Sequence, residues 1–149
     1  MYTRTLNFSD DIDPAALPAH LATCLRSVDA RSVTIETNRV SFTGGLFRAV
    51  SNWNVLVPFG FGELMVHADR RIVVYKLNFR QLILAATASI TFMAGTMAVL
   101  SFPSTSFAFL PIGWIWLVGA NLGFGLPRFN SFLRRAIDTA PRLTATASK

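Results

Sequence analysis

The sequence predicts an α+β fold in three parts: a small N-terminal domain with one helix on a mostly antiparallel sheet of about four or five strands, a two-helix transmembrane hairpin, and a short amphipathic C-terminal helix. Three observations predict it. Residues 81–127 contain no Asp, Glu, Lys or Arg, although the chain holds 14 basic and 8 acidic residues. Several short runs within residues 1–80 alternate apolar and polar side chains, the period of a half-buried strand. Beyond residue 127, apolar residues return at helical spacing among arginines. The expected division is a cytoplasmic domain over 1–80, a membrane hairpin over 81–127, and a basic helix and disordered tail over 128–149.

In chain order, residues 3–8 alternate loosely and read as a first strand. Asp13 then Pro14 is a helix-start signal, because Asp caps the free N–H groups and Pro needs no partner at the first helical position. The helix is expected over 14–28, with Leu17, Leu21, Leu25 and Val28 on one face. Pro18 falls in or just past its first turn. Residues 32–37 and 40–43 read as a hairpin turning at Asn38. Gly44 and Gly45 break the pattern, and residues 46–50 resume it as a strand. Residues 55–62 are apolar but punctuated by Pro58, Gly60 and Gly62, and the pattern assigns them no element. Residues 62–69 and 72–80 make the clearest hairpin, with Leu64, Val66, Val73, Tyr75 and Leu77 on one face. Its charged turn is Asp69-Arg70-Arg71. No linker separates the last strand from the apolar stretch.

A bilayer core about 30 Å thick needs about 20 apolar residues at 1.5 Å each. Residues 82–102 and 110–126 each supply about that number, joined by a loop around Pro103. Lys76 and Arg80 precede the first expected span and Arg128, Arg134 and Arg135 follow the second, while the loop carries no charge. The positive-inside rule then places both termini in the cytoplasm, at an inner or plasma membrane. The N-terminus has no apolar run behind it and Asp10, Asp11 and Asp13 follow, so the first span is expected to serve as the targeting signal. Gly119 and Gly123 form a GxxxG pair, and Ala94 and Ala98 are spaced alike; such residues let helices approach closely, within the hairpin or in a homo-oligomer. Asn121 is the strongly polar side chain of the second span and reads as a hydrogen-bond clip. Beyond the spans, Phe129, Phe132, Leu133, Ala136 and Ile137 form a stripe. The stripe suits an interfacial helix whose partners are the lipid bilayer and anionic headgroups, met by Arg80, Arg128, Arg134 and Arg135; the soluble domain is its alternative partner.

Charge and cysteine content narrow the function classes. Residues 1–80 hold nine Lys/Arg and seven Asp/Glu, a net +2, and residues 128–149 hold five Lys/Arg and one Asp, a net +4. The excess positive charge sits beside a membrane, where its partner is lipid, so no nucleic acid is expected. A single cysteine, Cys24, excludes an internal disulfide framework and a multi-cysteine zinc site. His20 and Cys24 lie four residues apart on one helix, and His67 and Asp69 share a strand face. These are the weak candidates for acid–base or metal chemistry, and solvated polar side chains account for them better. Ser51 lacks a nucleophile-elbow context, and Gly60-Phe61-Gly62 precedes a strand rather than a helix, so it is no phosphate loop. No metal or cofactor is expected. The expected function is non-enzymatic: a membrane protein that displays an α+β domain and acts as a binding, accessory or regulatory subunit, with a homo-oligomer or another membrane protein as partner. Alternatives are a membrane-perturbing or pore-forming oligomer, and an enzyme acting on lipid through His67 and Asp69.

Overall fold

Alternating side chains in five short runs produce five strands: β1 (Tyr2–Asn7), β2 (Arg31–Glu36), β3 (Arg39–Thr43), β4 (Phe61–His67) and β5 (Ile72–Asn78). The computed structural model describes residues 1–44, 56, 59–99 and 103–143; the strand expected over 46–50, Ser51, Trp53 and residues 144–149 lie outside them. The strands form one sheet in the order β1-β5-β4-β3-β2, antiparallel at every junction. Four consecutive strands thus make a meander, and β1 adds to its far side. The helix α1 (Leu17–Ser27) joins the two edge strands across one face.

Period-two patterning decides which face that is. Val40, Phe42, Leu64, Val66, Val73, Tyr75 and Leu77 all point to the helical side and are buried. Leu17, Leu21 and Leu25 of α1 close over them, each fully buried; burial of such a side chain contributes about 1.5–3 kcal/mol. Gly62 lies on the same face, and a Cβ there would overlap the Phe42 ring. The opposite face carries Ser41, Glu63, Met65, His67, Val74 and Lys76, all half-buried. Across it Arg39 and Glu63 form an ion pair at 2.6 Å, with Arg39 half exposed; pairs of this kind contribute little, about 0–1 kcal/mol.

The start of α1 differs from the sequence expectation. The helix begins at Leu17, so Pro18 rather than Pro14 occupies its first turn. Asp13 caps no helix; its Oδ1 instead accepts the Ala15 N–H at 2.9 Å in the preceding turn. A different residue anchors that approach. Arg71 donates to the Ile12 carbonyl at 2.9 Å, reaches the Asp10 carboxylate at 3.6 Å, and lies 5.7 Å from the Phe8 ring centre. The β4–β5 turn is therefore pinned to the segment leading into α1 and is not simply solvated.

Two helices follow the sheet, α2 (Arg80–Val99) and α3 (Pro103–Asp138). Only Phe79 separates β5 from α2; Asn78 Oδ1 accepts the Arg80 N–H at 2.9 Å and turns the chain. The expected two-helix transmembrane hairpin is overturned. Among the described residues one helical segment, Leu110–Asp138 in α3, is long and apolar enough to cross a membrane. In α2 the first turn is polar, with Arg80 and Gln81, and hydroxyls at Thr87, Ser89, Thr91 and Thr96 interrupt the apolar surface. Thr87 and Thr96 turn theirs back onto the carbonyls of Ile83 and Phe92, at 2.8 and 3.0 Å.

The expected boundaries of α3 change as well. Residues 103–106 are not a loop but the first turn of α3, where Pro103 is the first helical residue and, lacking an N–H, leaves no donor in want of an acceptor. Pro111 and Pro127 lie inside the helix and do not end it. The separate amphipathic C-terminal helix therefore does not exist. Its stripe is the last third of one 36-residue helix, about 54 Å long, and Phe129, Leu133, Ala136 and Ile137 are buried against the sheet beside α1. The physical reason is competition: the same apolar stripe buries more completely in a preformed aromatic recess than on a headgroup surface.

Candidate membrane-facing surface

Phe129 fastens α3 to the sheet. It is fully buried, with Phe59 5.1 Å and Tyr75 5.6 Å away, both edge-on, and Phe42 at 6.0 Å. Such ring pairs contribute about 0.5–1.5 kcal/mol each beyond area burial. One residue on, Asn130 accepts a long hydrogen bond from the Tyr75 hydroxyl at 3.5 Å. Burial pushes that hydroxyl's pKa up. The end of α3 is held by α1: His20 Nε2 lies 3.0 Å from the Ala136 carbonyl and 3.3 Å from Thr139 Oγ1. After the helix, Asp13 N–H donates to the Pro141 carbonyl at 3.0 Å and Leu143 N–H to that of Asp11 at 2.7 Å.

Toward its N-terminus α3 leaves the sheet and packs on α2. The shared seam uses Leu82, Ala86, Ile90 and Ala94 at four-residue spacing, with Val118 from α3. Across it Trp114 Nε1 donates to Thr87 Oγ1 at 3.2 Å. Outside the seam the surface is apolar and uncovered: Phe92 is 76%, Trp116 73% and Phe124 68% exposed. An open apolar groove lined by Ala88, Thr91, Phe92, Gly95, Thr96 and Val99 runs along α2. Only 11% of the apolar window in α3 is buried. A soluble core helix would bury most of such a window, so α3 carries a surface that water does not favour. Residues 110–127 rise about 27 Å, close to the thickness of a hydrocarbon core.

The small residues do not close this helical pair. A Cβ added at Gly119 or Gly123 would meet nothing within 4 Å, and the same holds for Gly95. Of the residues expected at the packing seam, Ala94 lies in it; the side chain of Ala98 lies outside the described residues. Asn121 does not clip the helices together, because its Nδ2 donates to the Leu117 carbonyl of its own helix at 2.6 Å. An interhelical hydrogen bond is supplied instead by Trp114 and Thr87.

The arginines divide into levels. Arg80 opens α2, and Arg128 follows the charge-free run of α3. Arg134 and Arg135 lie about 9–10 Å further along the helix axis. Arg134 lines a cavity of about 380 Å³ with Thr5, Leu6, Asn7 and Asp138. Arg135 lines a different one, of about 330 Å³, with Pro127, Arg128, Ser131 and Phe132.

The four candidates for chemistry separate into two places. His20 and Cys24 do meet, with Sγ 3.5 Å from Nε2. That nitrogen also faces the Ala136 carbonyl, an acceptor, so it carries the proton and is not a base toward the thiol. Burial also pushes the Cys24 thiol pKa up, away from a reactive thiolate. His67 ends β4 opposite Ile72 on the sheet face away from α1, and the Asp69 carboxylate lies 3.7 Å from its neighbour Arg70. Six residues of β5 separate that end of the sheet from Asn78 and α2, about 20 Å. Among the described residues no three His, Cys, Asp or Glu side chains are grouped to hold a metal ion.

Comparison with protein-family models, with characterised proteins and with solved structures finds no match.

Proposed function

We propose that this chain is a membrane-associated binding protein that holds its α+β unit against the bilayer surface as an accessory or regulatory subunit. The observation that carries this reading is the continuity of α3: one helix bears an uncovered apolar segment and, from Phe129 onward, the buried core face of the sheet domain. The sheet is therefore rigidly coupled to the apolar segment rather than tethered by a linker. Arg80 and Arg128, beside the apolar run, support the reading that the sheet unit faces the cytoplasm at an inner or plasma membrane, by the positive-inside rule. Non-enzymatic action fits the candidate chemistry, since His20 is engaged in packing and His67 stands at the far end of the sheet.

The test is gentle detergent extraction from the native membrane followed by particle mass and composition. A second protein at fixed stoichiometry is expected. A particle of this chain alone would overturn the accessory reading. A homo-oligomer is the second reading, favoured by the open Gly119/Gly123 face, and dye leakage from liposomes separates its pore-forming version from simple self-association. Orientation has its own assay: with Cys24→Ser and a lone cysteine in place of Lys149, ready labelling of intact cells by an impermeant maleimide would refute the cytoplasmic assignment.

A further inference from the structure

The groove on α3 just beyond the apolar run has the chemistry of an anion site. Its lining is Pro127, Arg128, Ser131, Phe132 and Arg135, around a cavity of about 330 Å³. Positions 128, 131 and 135 are separated by three, four and seven residues, so their side chains stand on one helical face. Two arginines and a serine thus share this lining, and none of its described residues is acidic. Guanidiniums bind phosphate oxygens through paired N–H donors, and a serine hydroxyl adds a third direction.

We propose that this groove binds the phosphate of an anionic phospholipid headgroup, an assignment that rests on α3 being seated in the bilayer. Position favours lipid over a soluble anion. Phe124, 68% exposed, stands one turn before the groove, and Arg128 directly follows the charge-free run. Pro127 and Phe132 give the groove apolar surface on which the glycerol end of a lipid would lie, while the arginines meet its phosphate. Arg134, one residue from Arg135, is not part of this site. It lines the separate cavity that also holds the Asp138 carboxylate, which repels an anion.

The test uses the full chain in nanodiscs of phosphatidylcholine with a minor fraction of phosphatidylglycerol. Lipid retained on the protein after gentle transfer to detergent is read by native mass spectrometry. The wild type is expected to retain phosphatidylglycerol above its bulk fraction. Arg128→Gln and Arg135→Gln should each weaken that preference about fivefold, and the double variant about 30-fold. Arg134→Gln should leave it unchanged. No preference in the wild type, or an equal loss in Arg134→Gln, overturns the site. Displacement of the lipid by inorganic phosphate at comparable concentration also overturns the lipid assignment, in favour of the free ion. A parallel measurement isolates the underlying reading: all four proteins should stay in the membrane pellet through alkaline carbonate, because the apolar segment holds them there. Release of the wild type would refute the seating of α3 itself, whatever the lipid preference.

Discussion

Phe129→Ala tests the coupling between the apolar helix and the sheet. The ring is fully buried, with Phe59, Tyr75 and Phe42 around it at 5.1, 5.6 and 6.0 Å. Truncating a buried Phe to Ala costs about 3–5 kcal/mol from lost transfer free energy and the cavity left behind. Two edge-on pairs and two tilted ones vanish with it, which places the expectation near the upper part of that range, about 4 kcal/mol. Set against a total of about 5–15 kcal/mol for a domain, this is a large fraction. The assay is urea unfolding in mild detergent, followed by hydrogen exchange in β3, β4 and β5. Phe124→Ala is the internal control: on the same helix but 68% exposed, it should shift the midpoint by no more than about 0.5 kcal/mol equivalent. Equal effects of the two variants, or a loss under about 1 kcal/mol for Phe129→Ala, would refute the claim that α3 completes the sheet's core.

Other expectations follow from single positions. Gly62→Ala places a Cβ against the Phe42 ring on the buried sheet face and should cost about 1–3 kcal/mol in the same urea titration. Thr37 is the first residue of the two-residue turn between Glu36 and Arg39 and has φ of 42°, strained for a β-branched residue. Thr37→Gly should therefore raise stability by about 1 kcal/mol, read as a higher denaturation midpoint. The Asp11 carboxyl lies below its ordinary pKa of 3.8, chiefly through a hydrogen bond from Ser9, with the Arg142 charge assisting. A depressed carboxylate stabilises above its unfolded value and loses that contribution as pH falls through the folded one. Exchange protection of the Leu143 amide, bonded to Asp11 O, should thus fall only below about pH 4. In an NMR titration Ser9→Ala should raise the Asp11 pKa more than Arg142→Ala does; the reverse order would refute the assignment of cause.

Local patterns in the sequence reach as far as elements and their faces. Val73, Tyr75 and Leu77 against Leu64 and Val66 define a hairpin and its buried side, because a period of two leaves only one register that hides them. Leu17, Leu21 and Leu25 define the buried stripe of α1 by the same logic at helical period. The charge-free stretch over 81–127 likewise announces surface that water disfavours. Such patterns depend only on neighbours in the chain. What they could not give is the partner of each face. The stripe of Phe129, Leu133, Ala136 and Ile137 satisfies a lipid surface and a protein core equally well as a pattern; only the recess formed by Phe42, Phe59 and Tyr75, drawn from three distant points of the chain, decided for the core. Pro103 read as part of a loop and residue 126 as the end of a span, yet one helix starts at Pro103 and runs on through Pro111 and Pro127. Gly119 and Gly123 read as a packing seam, whereas Ala94 and Val118 are the residues buried between the helices. Sequence alone determined which surfaces must be hidden; tertiary structure decided what hides them, since that choice rests on long-range geometry that no local spacing encodes.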